Sequence, residues 1–255
     1  MIDIHSHIIS GLDDGAKSLN ESIMMAKIAV NEGIHTIIAT PHYIDGEYNI
    51  NKLEILKKVN ELNETLESED ISLRILPGQE IRIHGDLVKE YRAGNYSSLN
   101  DGGKYLLLEL PSNHVPRYTE QLLYDIQFEG LTPIIAHPER NKGFIENPSS
   151  LYNLVKNGAL TQITASSLIG TFGKKAKKLS YQLIESNLTH FIASDSHNCS
   201  SRVFNMKKAL NLIQNKYGMD QAEYFTRNAE LLVQGKSVHI YIPQKVKQRK
   251  VLGIF

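Results

Sequence analysis

The chain has 255 residues, enough to bury a large core as one large domain or two small ones. It is 41% hydrophobic and 22% charged, and Lys+Arg and Asp+Glu both number 28, so bulk charge argues neither for a nucleic-acid partner nor for an acidic solvating tail. One cysteine, Cys199, excludes an intrachain disulfide framework and fits a reducing, cytoplasmic compartment. No basic n-region precedes an apolar stretch, and no run reaches about 18 apolar residues, so neither a signal peptide nor a membrane span is expected.

Ile2-Asp3-Ile4-His5-Ser6-His7 alternates strictly, which predicts a strand with Ile2 and Ile4 on one face and Asp3, His5 and His7 on the other. Ser18 and Glu21 mark a helix start, and the apolar pattern runs to Gly33. Thr36–Thr40 reads as a strand stopped by Pro41. A helix is predicted over 51–68, then a strand over 73–76, broken at Pro77-Gly78 and resumed near Glu80-Ile81. Residues 84–103 read as a short helix and a loop. Strands follow at 105–110, 132–137, 160–164 and 190–195, with helices at 118–129, 148–157, 174–187, 202–217 and 220–233. Val238, Ile240 and Ile242 suggest an extended tail.

These are about seven β–α units, which imply parallel strands with crossover helices. That number suits an α/β fold closed, or nearly closed, into a barrel; a doubly wound sheet is the alternative. No Pro/Ser-rich linker divides the chain, so 1–255 reads as a single domain, with a core over about 1–235 and a basic tail over 236–255.

The C-terminal ends of the strands carry the chemistry. They supply His5 and His7, then Asp13 and Asp14 in the following loop, His42, Glu80, Glu109, His137 and Arg140, and finally Asp195 and His197. In a barrel these ends converge on one face. Taken singly, each has a plain explanation: a wet strand end, a turn, a satisfied core histidine. Glu109 resists this, because a carboxylate inside Leu-Leu-Leu-Glu-Leu-Pro is buried and needs a compensating cation or donor. Asp195-Ser196-His197 repeats the spacing of His5-Ser6-His7. A donor set of imidazole and carboxylate without thiolate suits Mn²⁺, Fe or Zn²⁺, and there are too many donors for one ion.

His5-Ser6-His7, Asp14, Thr40-Pro41-His42, Pro77-Gly78-Gln79-Glu80, Glu109, Ala136-His137-Pro138-Glu139-Arg140 and Ser194-Asp195-Ser196-His197 together resemble the polymerase and histidinol phosphatase (PHP) superfamily. Asp13-Asp14-Gly15, Ala39-Thr40-Pro41-His42 and Ala136-His137-Pro138-Glu139-Arg140 are similar to its bacterial manganese-dependent protein-tyrosine phosphatases of capsule and exopolysaccharide operons. The resemblance spans residues 1 to about 235. It implies a distorted TIM-like (β/α)7 barrel holding three ions, most simply Mn²⁺, with Fe or Zn²⁺ as alternatives. One ion would take His5, His7, Glu80 and Asp195, the second Glu80, Glu109 and His137, and the third Asp14, His42 and His197. Relatives often carry Cys where this chain has Ser6, whose side chain is expected to point away from the metals. The implied partner is a phosphorylated bacterial tyrosine kinase with a tyrosine-rich C-terminal tail.

The chemistry expected of such a site is in-line attack on phosphorus by a metal-bridging hydroxide. Arg140 would fork onto the phosphate, and Asp195 and His197 would serve at the reacting centre. Cysteine-dependent tyrosine phosphatases require Cys-x5-Arg, and here Asn205 stands at the arginine position. The rival activity is histidinol phosphatase or another small phosphoester hydrolase; the non-enzyme alternative is a phosphotyrosine-binding scaffold. The Lys174–Lys178 cluster and the basic stretch Lys245–Lys250 read either as solvated surface or as landing sites for an acidic tail, the latter stretch also as a peripheral contact with the membrane that holds the kinase.

Overall fold

The computed structural model describes residues 1–247; Gln248, Arg249 and Lys250 of the basic tail lie outside the described residues. The strands are β1 (Ile2–Ser6), β2 (Thr36–Ala39), β3 (His42–Tyr43), β4 (Arg74–Pro77), β5 (Glu80–Arg82), β6 (Tyr105–Glu109), β7 (Thr132–Ala136), β8 (Leu160–Thr164) and β9 (Phe191–Ala193). Helices are α1 (Leu19–Asn31), α2 (Lys52–Ser68), α3 (Leu87–Arg92), α4 (Thr119–Phe128), α5 (Lys142–Glu146), α6 (Pro148–Lys156), α7 (Ala165–Ile169), α8 (Gly173–Glu185), α9 (Met206–Tyr217) and α10 (Met219–Val233).

Pairing is parallel in the orders β1-β2-β4 and β3-β5-β6-β7-β8-β9. Pro41 separates β2 from β3, and β4 ends at Pro77, with Gly78-Gln79 before β5, because proline brings no ladder donor. Glu80 N donates to Pro41 O across the break at 3.1 Å. Counting each interrupted pair as one stave gives the seven expected staves, neighbours in sequence being neighbours in space. The barrel closes between β9 and β1 through Asp195 N to His5 O and His7 N to Ser196 O, both 2.8 Å. Gly78 lets the broken stave approach its neighbour: a Cβ there would sit 2.6 Å from Ile38 Cγ2.

Two apolar layers follow from the strand alternation. Ile37, Ile75, Leu106, Leu108, Ile135 and Ile163 face the helices in the outer layer. Ile4, Ile38, Leu76, Leu107, Ile134 and Phe191 fill the barrel, whose lower end is plugged by Ala229 and Leu232 of α10. The chain after α10 crosses this end as a strap. Tyr105 OH donates to Lys236 O, His239 N to Asn228 Oδ1, and Gln244 N to Ser186 O.

Four expectations are revised. The register slips between Asp3 and Ser6, so β1 is bulged and does not alternate strictly. Ile4 packs inside the barrel, while Asp3 turns to accept from Ser194 N (2.9 Å) and Ser194 Oγ, joining β1 to β9 rather than sharing the face of His5 and His7. Short helices α5 and α7 lie between the expected elements, where the sequence pattern predicts no helix. The helix expected from 202 starts only at Met206, because Asn198 Oδ1 accepts from Ser200 N, Ser201 N and Arg202 N and holds a turn there.

His190, at the foot of β9, is buried and accepts from Thr161 N through Nδ1 at 3.1 Å. Burial lowers its pKa from 6.5 to about 4. As pH falls below 6.5 the unfolded chain takes up this proton and the folded chain does not, so stability present above pH 6.5 is lost down to about pH 4. The loss is about 3 kcal/mol at about 1.4 kcal/mol per unit. In urea unfolding with chelator present, His190→Gln should lose that much less stability than wild type between those pH values. Equal losses would show that His190 does not titrate between the two states.

Candidate metal centre

Every residue expected at the site reaches the upper mouth of the barrel. His137 and Asp195 sit at strand ends with left-handed backbone (φ 32° and 52°), a conformation non-glycine residues rarely hold, and it returns their side chains over the mouth. Three donor clusters result.

In the first, His5 Nε2 and His7 Nε2 are 3.2 Å apart, and each lies 3.3 Å from Glu80 Oε2 and 3.4 Å from Asp195 Oδ1. In the second, His42 Nδ1 is 3.0 Å from Glu80 Oε2 and 3.8 Å from Glu109 Oε2. His137 Nε2 adjoins it, 2.8 Å from Glu80 Oε1 and 3.9 Å from Glu109 Oε1, so the structure adds His42 to the expected Glu80, Glu109 and His137. In the third, Asp14 Oδ1 is 3.5 Å from His42 Nε2 and 3.2 Å from His197 Nε2, and His7 joins this set. Glu80, at the meeting of the first two clusters, is fully buried.

The donor atoms fit divalent cations. Glu80 Oε2, Asp195 Oδ1, His42 Nδ1 and His197 Nε2 are buried and take no hydrogen bond, although buried polar atoms nearly always find one. The imidazoles are oriented from behind. His5 Nδ1 donates to Gln162 Oε1 (2.8 Å), His7 Nδ1 to Asp13 Oδ2 (2.6 Å), and His197 Nδ1 to the Asp195 carbonyl (3.1 Å). Each therefore turns an Nε2 lone pair toward the cluster, the arrangement that fixes metal-binding tautomers.

The titration behaviour reports the same demand for positive charge. Burial opposes ionisation of Glu80, yet His5, His42 and His137 hold its pKa well below the usual range. Burial likewise opposes a charged Asp195, and Arg140 and His5 outweigh it and lower its pKa. At His5, Glu80 and Asp195 overcome burial and raise the pKa; at His7, Asp13 is the main counterweight to burial and the pKa rises well above its ordinary value. Burial and the neighbouring His7 instead push His197 down to about 4. The His7 and His197 rings lie close and tilted, with centroids 3.8 Å apart, so charge on one disfavours charge on the other.

Further contacts, some from residues outside the expected set, complete the site. Asp13 Oδ2 also accepts from His42 N (2.8 Å), and Gly15 lets this loop fold against β1, since a Cβ there would lie 2.2 Å from His7 O. Arg82 grips Glu109 Oε2 through Nε (2.9 Å) and Nη2 (2.8 Å). Arg140 Nη1 and Arg202 Nη2 both reach Asp195 Oδ2, at 2.7 and 2.9 Å. Alternation from Glu80 points to Arg82; Arg202 lies in an irregular loop that no periodicity marks. Ser6 Oγ bonds to the Ser196 carbonyl at 3.3 Å, away from the clusters as expected.

Removing the carboxylate behind His7 should loosen that imidazole without touching a donor atom. Asp13→Ala is expected to weaken Mn²⁺ binding about 10–100-fold in competition with a fluorescent chelator. Unchanged affinity would remove Asp13 from the orienting shell.

Comparison with known proteins agrees with this geometry. Residues 1–234 match the family model described as capsular polysaccharide synthesis, CpsB/CapC. Tyrosine-protein phosphatase YwqE of Bacillus subtilis is 49% identical over 255 residues, spanning 100% of both chains. A putative tyrosine-protein phosphatase, CapC of Staphylococcus aureus, is 43% identical over 256 residues, again 100% of each. A chain from the crystal structures of YwqE from Bacillus subtilis and CpsB from Streptococcus pneumoniae, described as unique metal-dependent tyrosine phosphatases, superposes with a TM-score of 0.95 at 48% identity, covering 97% of this chain and 100% of that one. The chain belongs to the CpsB/CapC family of capsular polysaccharide synthesis.

Proposed function

We propose that this chain is a metal-dependent protein-tyrosine phosphatase acting on phosphotyrosine. The observation that carries this is a set of buried donor atoms that take no hydrogen bond, Glu80 Oε2, Asp195 Oδ1, His42 Nδ1 and His197 Nε2, beside a mouth of about 360 Å³ lined by Arg82, Arg140 and Arg202. The full-length similarity to named tyrosine-protein phosphatases supports it.

In this reading 1–255 is one domain holding three ions, most simply Mn²⁺. His5, His7, Glu80 and Asp195 would hold the first. Glu80, Glu109 and His137, with His42 in reach, would hold the second. Asp14, His42 and His197 would hold the third. Such ions, when bound, supply Lewis-acid polarisation of the phosphoryl oxygens and a water activated near neutral pH.

The chain's own residues bind and orient the substrate. Arg140 and Arg202 approach the same Asp195 oxygen, and each keeps further N–H groups for phosphoryl oxygens. Arg140 is braced on the ring of Phe172, 4.8 Å from its centroid. Phe172 and Tyr48 line the same mouth and offer apolar surface to the tyrosyl ring. That leaving group has a pKa of about 10, so it departs without a strong acid. His197, with its pKa pushed down, offers a lone pair to a cation rather than a proton to the leaving group. Cys199 is no nucleophile: burial and then Glu21 raise its pKa, and its sulfur faces the Glu21 carbonyl at 3.9 Å.

The protein substrate in this reading is the tyrosine-rich tail of a phosphorylated bacterial tyrosine kinase, met in the cytoplasm. Among the described residues no helix is long and apolar enough to cross a membrane. Lys245 and Lys247 belong to the basic stretch proposed to touch a kinase-bearing membrane surface.

With Mn²⁺ present, the protein should hydrolyse a phosphotyrosine peptide in preference to histidinol phosphate and lose that turnover on chelation. Preference for histidinol phosphate would overturn the substrate assignment; tight peptide binding with no turnover of either would favour a scaffold. Cys199→Ser should keep wild-type kcat within about twofold, and its inactivation would replace the metal mechanism with a thiol one.

A further inference from the structure

We propose that Glu139 is a positioning residue for Arg140: by tying the turn that carries this arginine to helix α7, it sets the direction of the guanidinium that receives the phosphoryl group. The proposal deepens the phosphatase reading and rests on it.

Burial comes first. His137 reaches the second donor cluster and Arg140 reaches Asp195, and Glu139 between them does neither. Its carboxylate turns to the end of the next stave, β8, and is fully buried. One oxygen, Oε1, accepts from Thr164 N at 3.0 Å and from Ser167 Oγ at 2.6 Å. The other, Oε2, takes no hydrogen bond. A buried carboxylate with two neutral donors and one unpaired oxygen is unfavourable, and an apolar residue would fill the same space with a smaller penalty. What the carboxylate supplies that an apolar residue lacks is a directional link between two segments.

Connectivity is the second argument. Pro138–Arg140 is a single 3₁₀ turn after the left-handed His137, and Arg140 N closes it on His137 O at 3.0 Å. On the far side of the link, Thr164 precedes α7 and Ser167 lies within it. Helix α7 ends at Gly170, with φ 101°, and Thr171 N returns to Ser166 O at 3.0 Å. The next residue is Phe172, whose ring centroid lies 4.8 Å from the Arg140 guanidinium carbon. A closed circuit results, from the Arg140 backbone through the Glu139 carboxylate, α7 and the Phe172 ring back to the Arg140 guanidinium. Glu139 thus holds the root of the arginine and, through α7, the ring that braces its tip.

The third argument is what the site asks of Arg140. Its Nη1 stands 2.7 Å from Asp195 Oδ2, and its remaining N–H groups are those proposed for phosphoryl oxygens. A long side chain loses rotamer freedom on binding unless it is already held, and a misplacement of about 1 Å can lower the rate on the order of 10²-fold. Cutting the circuit at Glu139 frees both ends of Arg140 and removes no atom of the three donor clusters.

The test uses Mn²⁺-loaded wild type, Glu139→Ala, Glu139→Gln, Ser167→Ala, Arg140→Ala and the Glu139→Ala/Arg140→Ala double variant. Elemental analysis reads Mn²⁺ content, calorimetry reads affinity for inorganic phosphate, and kinetics read KM and kcat on a phosphotyrosine peptide. Glu139→Ala should keep wild-type Mn²⁺ content, weaken phosphate binding about tenfold or more and raise KM in step. Glu139→Gln keeps an acceptor for Thr164 N and Ser167 Oγ and should bring phosphate affinity back to within about threefold of wild type. Ser167→Ala should weaken phosphate about fivefold. With Arg140 already replaced by alanine, Glu139→Ala should change phosphate affinity less than about twofold. The same loss with and without Arg140, wild-type phosphate affinity in Glu139→Ala, or no rescue by Glu139→Gln would overturn the proposal. So would loss of Mn²⁺ from Glu139→Ala, which would assign the residue to His137. Should Glu139→Ala not fold, Ser167→Ala with and without Arg140→Ala makes the same comparison. If wild type hydrolysed no peptide, the phosphatase reading would fail by itself, and the phosphate titrations would still decide the role of Glu139. A wild type that bound no phosphate would overturn both.

Discussion

Carboxylates and imidazoles crowded together in a buried mouth repel and lose hydration, and only positive charge placed among them makes the arrangement stable. Glu80 lies at the centre of that constraint. Its fully buried carboxylate faces His5, His7 and His42 through one oxygen and His137 through the other. Cations held between these groups satisfy all of them together, and protonated histidines satisfy them only in part, since charge on His7 disfavours charge on the adjacent His197. The arginines follow from the same constraint. Arg140 and Arg202 balance Asp195, and Arg82 balances Glu109, from the solvent side of the cluster.

The barrel meets this demand through local departures from regular strands. A strictly alternating β1 would send His5 and Ile4 to opposite faces, and the slip between Asp3 and Ser6 lets Ile4 pack the interior while His5 meets Gln162. Pro41 and Pro77-Gly78 break two staves just below His42 and Glu80, so these side chains start from short segments, β3 and β5, in register with each other. Left-handed backbone at His137 and Asp195 does the same for the later staves. The apolar layers on both faces of the staves hold these irregularities in place.

Most of this was legible from the residues. Alternating strand and helix patterns implied the sequential parallel staves, and the position of each donor at a strand end implied convergence, because these features follow from local periodicity and parallel topology. The bulge in β1 was not legible: the alternation of Ile2 to His7 is unbroken in sequence, and the slip arises from pairing with β2 on one side and Ser194 to Ser196 on the other. Asp13 was seen as part of the loop, but its neighbour Asp14 carried the ligand reading, and only the fold places Asp13 behind His7 and Asp14 beside His197. Arg202 was invisible because its position depends on the turn that Asn198 holds. Short helices α5 and α7 escaped because five residues carry too little periodicity to register.

Glu80 belongs to two of the three groups of candidate ligands, and in the proposed reading it is shared between two ion sites. Equilibrium dialysis with Mn²⁺, followed by elemental analysis of wild type and Glu80→Ala, tests this directly. The account predicts that the single substitution removes at least two of the ions bound by wild type, with the remaining site built on Asp14, His42 and His197. Wild-type stoichiometry in Glu80→Ala, or no Mn²⁺ bound by wild type, would contradict it.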